Sequence, residues 1–177
     1  MKGVYKKLLI LFGIVIAVVG VYFLVQFIKK RQIENLPDDI ILIEEYKTHY
    51  AVSDGYSGKV IYNDGSIYEF SFGRSDDLVG LSLEDRSKKI IKYGTKLKKT
   101  VNKEDLSKIR KYTINLEDRY TSTLENLDAE TRGLAAYQYS PNKWIKIVQI
   151  GEMVGKNKTP GTDSIIELLK KYDFGNF

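Results

Sequence analysis

Leu8 to Ile28 is an apolar run whose only strongly polar member is Gln26. Its length fixes what the first part of the chain can be. At 1.5 Å per residue a helix over this run reaches about 31 Å, close to a hydrocarbon core of about 30 Å. Lys2, Lys6 and Lys7 precede it, and Lys29, Lys30 and Arg31 follow it. The run predicts an uncleaved transmembrane anchor. A cleaved signal peptide has a shorter apolar region, of about 7–15 residues, and ends at a small-residue site. Val18-Val19-Gly20 is a poor version of that site. A type IV pilin leader wants Glu at the fifth mature position, where Leu8 stands. The basic flanks balance three against three, but a short basic N-terminus before a first apolar segment favours the cytosol. The expected plan is an anchor with basic flanks at 1–31, a linker at 32–39 and an extracytoplasmic domain at 40–177. The expected location is the cell membrane, single-pass, with the C-terminal domain outside.

Setting the anchor aside changes the meaning of the charge. The chain carries 28 basic and 23 acidic residues, a formal +5. Residues 1–31 hold six of the basic residues and no acidic one. The remaining 146 residues are therefore close to neutral, with 22 basic against 23 acidic. A nucleic-acid-binding domain should itself be basic, so nucleic acid is not an expected partner. One region departs from neutrality. Arg86 to Lys111 has 11 basic residues against Glu104 and Asp105. Arg86, Lys88, Lys89, Lys92, Lys96, Lys98 and Lys99 form the candidate interaction surface, facing an acidic protein or an anionic polymer. The structural alternative is a solvated edge hairpin, where lysines discourage edge-to-edge pairing.

Composition removes whole classes of chemistry. The chain has no cysteine, which excludes disulfides, cysteine-ligated zinc and a thiol nucleophile. His49 is the one histidine, so no two-histidine metal motif exists. Gly151 to Asn157 superficially resembles a phosphate loop. It has three residues between the glycines where the motif needs four, and Asn157 follows Lys156 where Ser or Thr is needed. It reads as a connection. Acidic pairs are frequent, but none has EF-hand spacing. Ser75-Asp76-Asp77 and Asp128-Ala129-Glu130-Thr131 are the nearest approaches to a cation loop. No catalytic constellation, cofactor site or metal site is found, so the expectation is a protein that is not an enzyme.

Periodicity gives the domain. Ile40 to Val52 reads as a long strand, with His49 on its polar parity. Lys59–Asn63 and Ser66–Phe72 flank Asp64-Gly65, the pair favoured in type I′ hairpins. Gly73 to Arg86 reads as irregular. Lys88–Tyr93 and Thr95–Val101 read as short strands around Gly94. Asn102 with Asp105 opens a helix whose stripe is Leu106, Ile109, Tyr112, Thr113 and Leu116. Glu117 to Glu130 reads as a loop. Arg132–Ser140 and Lys143–Ile150 make a second hairpin containing Trp144. Thr162 or Asp163 caps a last helix burying Ile165, Ile166, Leu168, Leu169 and Tyr172. The expected fold is α+β: an N-terminal transmembrane helix, then a mainly antiparallel sheet of about six or seven strands with two helices on one face. Tyr56, Tyr93, Tyr120 and Tyr139 fit no core parity and suggest an exposed aromatic patch.

The Ile61–Tyr68 hairpin, the Leu106–Ile109 helix and the Trp144 strand with the Ser164–Tyr172 helix resemble parts of small membrane-anchored α+β proteins of low-GC Gram-positive bacteria. That resemblance implies an extracytoplasmic setting and brings no activity. The expected function is a non-enzymatic, membrane-tethered binding module for a protein or an anionic cell-wall component. The alternatives are a structural subunit of a membrane assembly, such as a secretion or pilus-like machine, and a small hydrolase.

Overall fold

The computed structural model describes residues 2–34, 38–48, 55–73, 78, 80–124, 131–138, 142–175 and 177. The chain divides into two compact units, Met1–Leu36 and Pro37–Phe177. The first unit is one helix, α1 (Lys2–Glu34). Among the described residues no helix is long and apolar enough to cross a membrane. The expected transmembrane anchor, and with it the single-pass membrane location, is corrected on this finding.

The second unit is built on one sheet of eight strands. In chain order these are β1 (Ile41–Thr48), β2 (Tyr56–Tyr62), β3 (Ser66–Phe72), β4 (Thr95–Thr100), β5 (Tyr120–Leu124), β6 (Thr131–Gln138), β7 (Lys143–Ile150) and β8 (Met153–Asn157). The spatial order is β4-β3-β2-β1-β6-β7-β8-β5, and the pairings are antiparallel. Three helices belong to this unit: α2 (Leu83–Tyr93), α3 (Lys103–Asn115) and α4 (Thr162–Lys170).

Two neighbouring carboxylates reveal how the helices are layered. Glu44 and Glu45 sit side by side on β1, so their side chains leave opposite faces of the sheet. Glu44 meets Arg86 of α2. Glu45 accepts a hydrogen bond from the Gly175 N–H, just beyond α4, at 3.2 Å. Helix α2 therefore covers one face, while α3 and α4 pack together on the other, with α3 against β1 and β6. The expected single helical face is corrected to three layers. That explains β1: Ile40 to Ile43 are all at most 6% exposed, as a central strand covered on both sides requires.

The strand count differs from expectation in two ways. Lys88–Tyr93 is helical, not extended. Ser82 caps α2 by accepting from the Asp85 N–H at 3.1 Å, Glu84 and Asp85 occupy its first turn, and the Gly94 N–H closes it on Ile90 O at 2.7 Å. Its buried stripe is Arg86, Ser87 and Ile90, so hydrophobicity alone does not mark it. Conversely, β5 and β8 form where a loop and a connection are expected; they pair with each other at one end of the sheet.

The local signals elsewhere hold in part. Asn102 caps α3 by accepting from Asp105 N–H at 2.8 Å. The stripes of α3 and α4 are buried as their spacing predicts. Helix α4 is capped at Gly161, not at Thr162 or Asp163, with Gly161 at φ 91°. The β2–β3 turn closes with a bond from Gly65 N–H to Tyr62 O at 2.9 Å and positive φ at Gly65. Asp64 is not in the left-handed region, so this is a three-residue loop with a left-handed glycine, not a type I′ turn.

The sheet ends on two different edges. β4 carries Lys96, Lys98 and Lys99, whereas β5 (Tyr-Thr-Ser-Thr-Leu) carries no charge.

Candidate functional site

Helix α2 is short and lies over β3, so it covers only part of its face of the sheet. Beside it, over β1, β6 and β7, the face is open. Small residues deepen this open part. Gly133 lies opposite Tyr46, and Ala135 opposite Glu44. The result is a cleft of about 540 Å³, within the range of small-ligand sites.

Its floor is a closed polar cluster. The Arg86 guanidinium donates to both oxygens of Glu44, through Nε at 2.8 Å and through Nη2, and Nη1 donates to Leu78 O at 2.9 Å. Nη2 also donates to the Tyr56 hydroxyl at 2.8 Å, and that hydroxyl donates to Glu44. The guanidinium carbon stands 5.1 Å from the Tyr56 ring centre and 5.6 Å from that of Trp144. Arg86 and Glu44 are 7% and 2% exposed. Burial disfavours the charged guanidinium, but the attraction of Glu44 and Tyr56 outweighs it and raises the Arg86 pKa further. Burial, reinforced by the Glu44 charge, pushes the Tyr56 phenol far above its ordinary value. The cluster is thus a fixed ion pair with a neutral phenol, and each of its members is spent on the others.

The walls are apolar and aromatic. Tyr46, Leu78, Leu81, Trp144 and Met153 line them, and Trp144 is 36% exposed at the mouth. The Tyr46 hydroxyl donates to Gln149 Oε1 at 3.1 Å, and Lys146 Nζ donates to the same oxygen at 2.8 Å. Burial also raises the Tyr46 phenol well above its ordinary range. Thr131 is buried in the lining, and among the described residues its hydroxyl has no hydrogen-bond partner.

The sequence-predicted surface divides. Arg86 is buried in the cleft floor, so its place on an exposed basic surface is corrected. Lys88, Lys92, Lys96, Lys98 and Lys99 are exposed on α2 and β4, and Lys89 is half-buried. Lys88 pairs with Glu84 and Lys99 with Asp173. Lys89, Lys92, Lys96 and Lys99 stand over the rings of Phe72, Tyr93, Tyr68 and Tyr172. These lysines therefore also shield apolar surface along the β4 edge.

The four tyrosines without a core parity do not form one patch. Tyr56 is in the cleft floor, Tyr93 ends α2, and Tyr120 lies on β5 under Lys146. Tyr139, His49, Asp76-Asp77 and Asp128 to Glu130 lie outside the described residues. Among the described residues there is no group of acidic or histidine side chains able to hold a metal ion. The Gly151–Asn157 segment is mostly strand β8, and Asn157 turns its amide onto Glu117 O and Lys146 O. Sequence reasoning missed that Tyr46, Thr131, Gln149 and Glu152 line one cleft with Trp144, because the pairing of β1, β6 and β7 brings them to it.

The chain matches no protein-family model, and comparisons with curated proteins and with solved structures return no match.

Proposed function

We propose that residues 37–177 form a binding module without a catalytic step, and that the cleft beside α2 is its binding site. The observation that carries this reading is the closed floor. Arg86, Glu44 and Tyr56 satisfy one another, which leaves no activated base or nucleophile, while the walls offer apolar and aromatic contact with a few polar groups at the rim. A rigid, self-satisfied floor suits recognition, since the site is shaped before the ligand arrives. A fragment screen followed by amide chemical-shift mapping tests it. Hits should perturb residues of β1, β6 and β7 around Trp144. Hits that scatter over the surface, or avoid the cleft, overturn the reading.

A second reading is an acidic protein or anionic polymer held on Lys88, Lys89, Lys92, Lys96, Lys98 and Lys99. It is favoured by the exposed placement of most of these lysines along one helix and one edge strand. Binding to polyphosphate or heparin that survives their joint replacement by glutamine removes it.

A further inference from the structure

The cleft holds two kinds of charge. Arg86 and Glu44 neutralise one another on the floor. Lys146 and Glu152 line the rim and do not. Among the described residues Lys146 hydrogen-bonds an amide oxygen, that of Gln149, and pairs with no carboxylate. Glu152 likewise has no hydrogen bond or ion pair among them. One cation and one anion thus face one apolar cleft without meeting each other.

The strand geometry explains why they stay apart. Lys146 is on β7, and Glu152 lies past its end in the turn to β8. From Lys146 to Ile150 alone the strand advances about 13 Å. The pairing also orders the cleft lengthwise. Ala135 lies opposite Lys146, whereas Arg132, next to Thr131, lies opposite Ile150 at the Glu152 end. The buried Thr131 hydroxyl, without a hydrogen-bond partner among the described residues, is therefore at the acidic end. Trp144 is at the basic end, and its ring packs edge-on against Tyr137 at 5.5 Å.

A ligand that completes this site carries a negative end for Lys146, a positive end for Glu152 and an apolar body between them. We propose that the cleft binds a short peptide of two or three residues with both termini free and apolar side chains. Its carboxylate would meet Lys146, its ammonium Glu152, and a donor near the ammonium would satisfy the Thr131 hydroxyl. A free amino acid separates its charges by about one residue length, whereas two or three extended residues reach roughly 7–10 Å. That longer span comes nearer to the strand advance of about 13 Å, and the flexible Lys146 and Glu152 side chains would have to close the remainder. β6 and β7 are paired with each other under the cleft, so recognition is by side chains and not by strand addition.

The proposal rests on the cleft being the binding site, and its test separates the two. The probes are the dipeptide Leu-Phe, its N-acetyl form, its C-terminal amide and the doubly blocked form. Binding is read by calorimetry and by the emission of Trp144, the only tryptophan in the chain. Leu-Phe should bind most tightly, with each single block costing at least tenfold. Lys146→Met should abolish the penalty for amidation and leave that for acetylation. Glu152→Gln should do the reverse. Both variants should keep the parent melting temperature, since both side chains are on the rim. Equal affinity for all four probes overturns the proposal while leaving the cleft as a binding site. So does tighter binding of the doubly blocked form. Failure of every probe to bind overturns it as well, and the fragment screen then decides the fate of the cleft on its own.

Discussion

The hydroxyl end of Tyr46 stands over Gly133 on the neighbouring strand, so closely that a β-carbon at Gly133 would come to 2.5 Å from the ring carbon Cζ. The same β-carbon would stand 2.8 Å from Val148 O. Gly133→Ala should therefore displace the ring and destabilise the fold by about 1–3 kcal/mol, the cost of overpacking. Urea unfolding measures it. Adding Tyr46→Ala should recover only part of the loss, because the backbone contact remains, and a double-mutant cycle should show the two sites coupled.

Removing one partner of the Arg86–Glu44 pair leaves the other charged and buried. Arg86→Met should cost about 3–5 kcal/mol of stability. Replacing both, as Glu44→Gln with Arg86→Met, should cost less than Arg86→Met alone. Chemical denaturation of the three variants checks the order. If the single and double variants are equally destabilised, the pair does not act as a unit.

The alkaline side of the stability profile should be steep. Burial raises the phenols of Tyr46, Tyr56 and Tyr62 well above their ordinary value near 10. Below pH 10 these phenols are neutral in both folded and unfolded chains, and their contribution is fully present. Above it the unfolded chain loses phenolic protons that the folded chain keeps, so stability falls as pH rises. Tyr56→Phe should flatten that fall. Ultraviolet titration of the folded protein should show late-ionising tyrosines that appear at once on denaturation.

The acid side has its own marker. Asp105 is held below the ordinary carboxylate range, first by the hydrogen bond from the Tyr172 hydroxyl at 2.8 Å, against the opposing effect of burial, and also by Lys171. A depressed carboxylate stabilises above its unfolded value and loses that contribution as pH falls through the folded one. Tyr172→Phe should therefore lower stability at neutral pH and flatten its fall below about pH 4. Thermal melts across pH read both limbs.

The lysines of β4 guard an edge. Replacing Lys96 and Lys98 with valine should leave the folded unit nearly as stable, within about 0.5 kcal/mol, but should make it self-associate as concentration rises. Sedimentation velocity distinguishes this from simple unfolding.

Some local chemistry was readable in the sequence where a residue acts on its immediate neighbours, although the Ser82 cap of α2 and the Gly161 cap of α4 were not. Asn102 with Asp105 announces α3, and Asp64-Gly65 announces a tight turn, although the turn has three residues because Asp64 keeps ordinary backbone angles. Long-range chemistry was not readable. Helix α2 hides because its buried stripe carries Arg86 and Ser87, which look like surface residues until Glu44 and the Asp39 carbonyl arrive from β1 and its approach. β5 and β8 hide because each is short, and because β8 is held between β7 and β5, a placement that local pattern alone does not give. The cleft itself depends on pairing across β1, β6 and β7, which brings together residues more than a hundred positions apart, such as Tyr46 and Gln149. The apolar run of α1 was legible as a helix, and its reading as an anchor was corrected, since among the described residues no helix is long and apolar enough to cross a membrane.

The two ends of the sheet also set a rule for how copies of this unit could join. A sheet open at both ends can accept a new strand on either side, and such addition has no natural stop. Here one terminus is barred by charge, and β5 alone is chemically permissive. Any joining of like edges must then end at two molecules, because the first union consumes the only site of growth on each. The lysines at one end would thus stop any edge-to-edge association at a closed pair, and a fibre would be the expected signature of a mutated β4 and not of the parent chain.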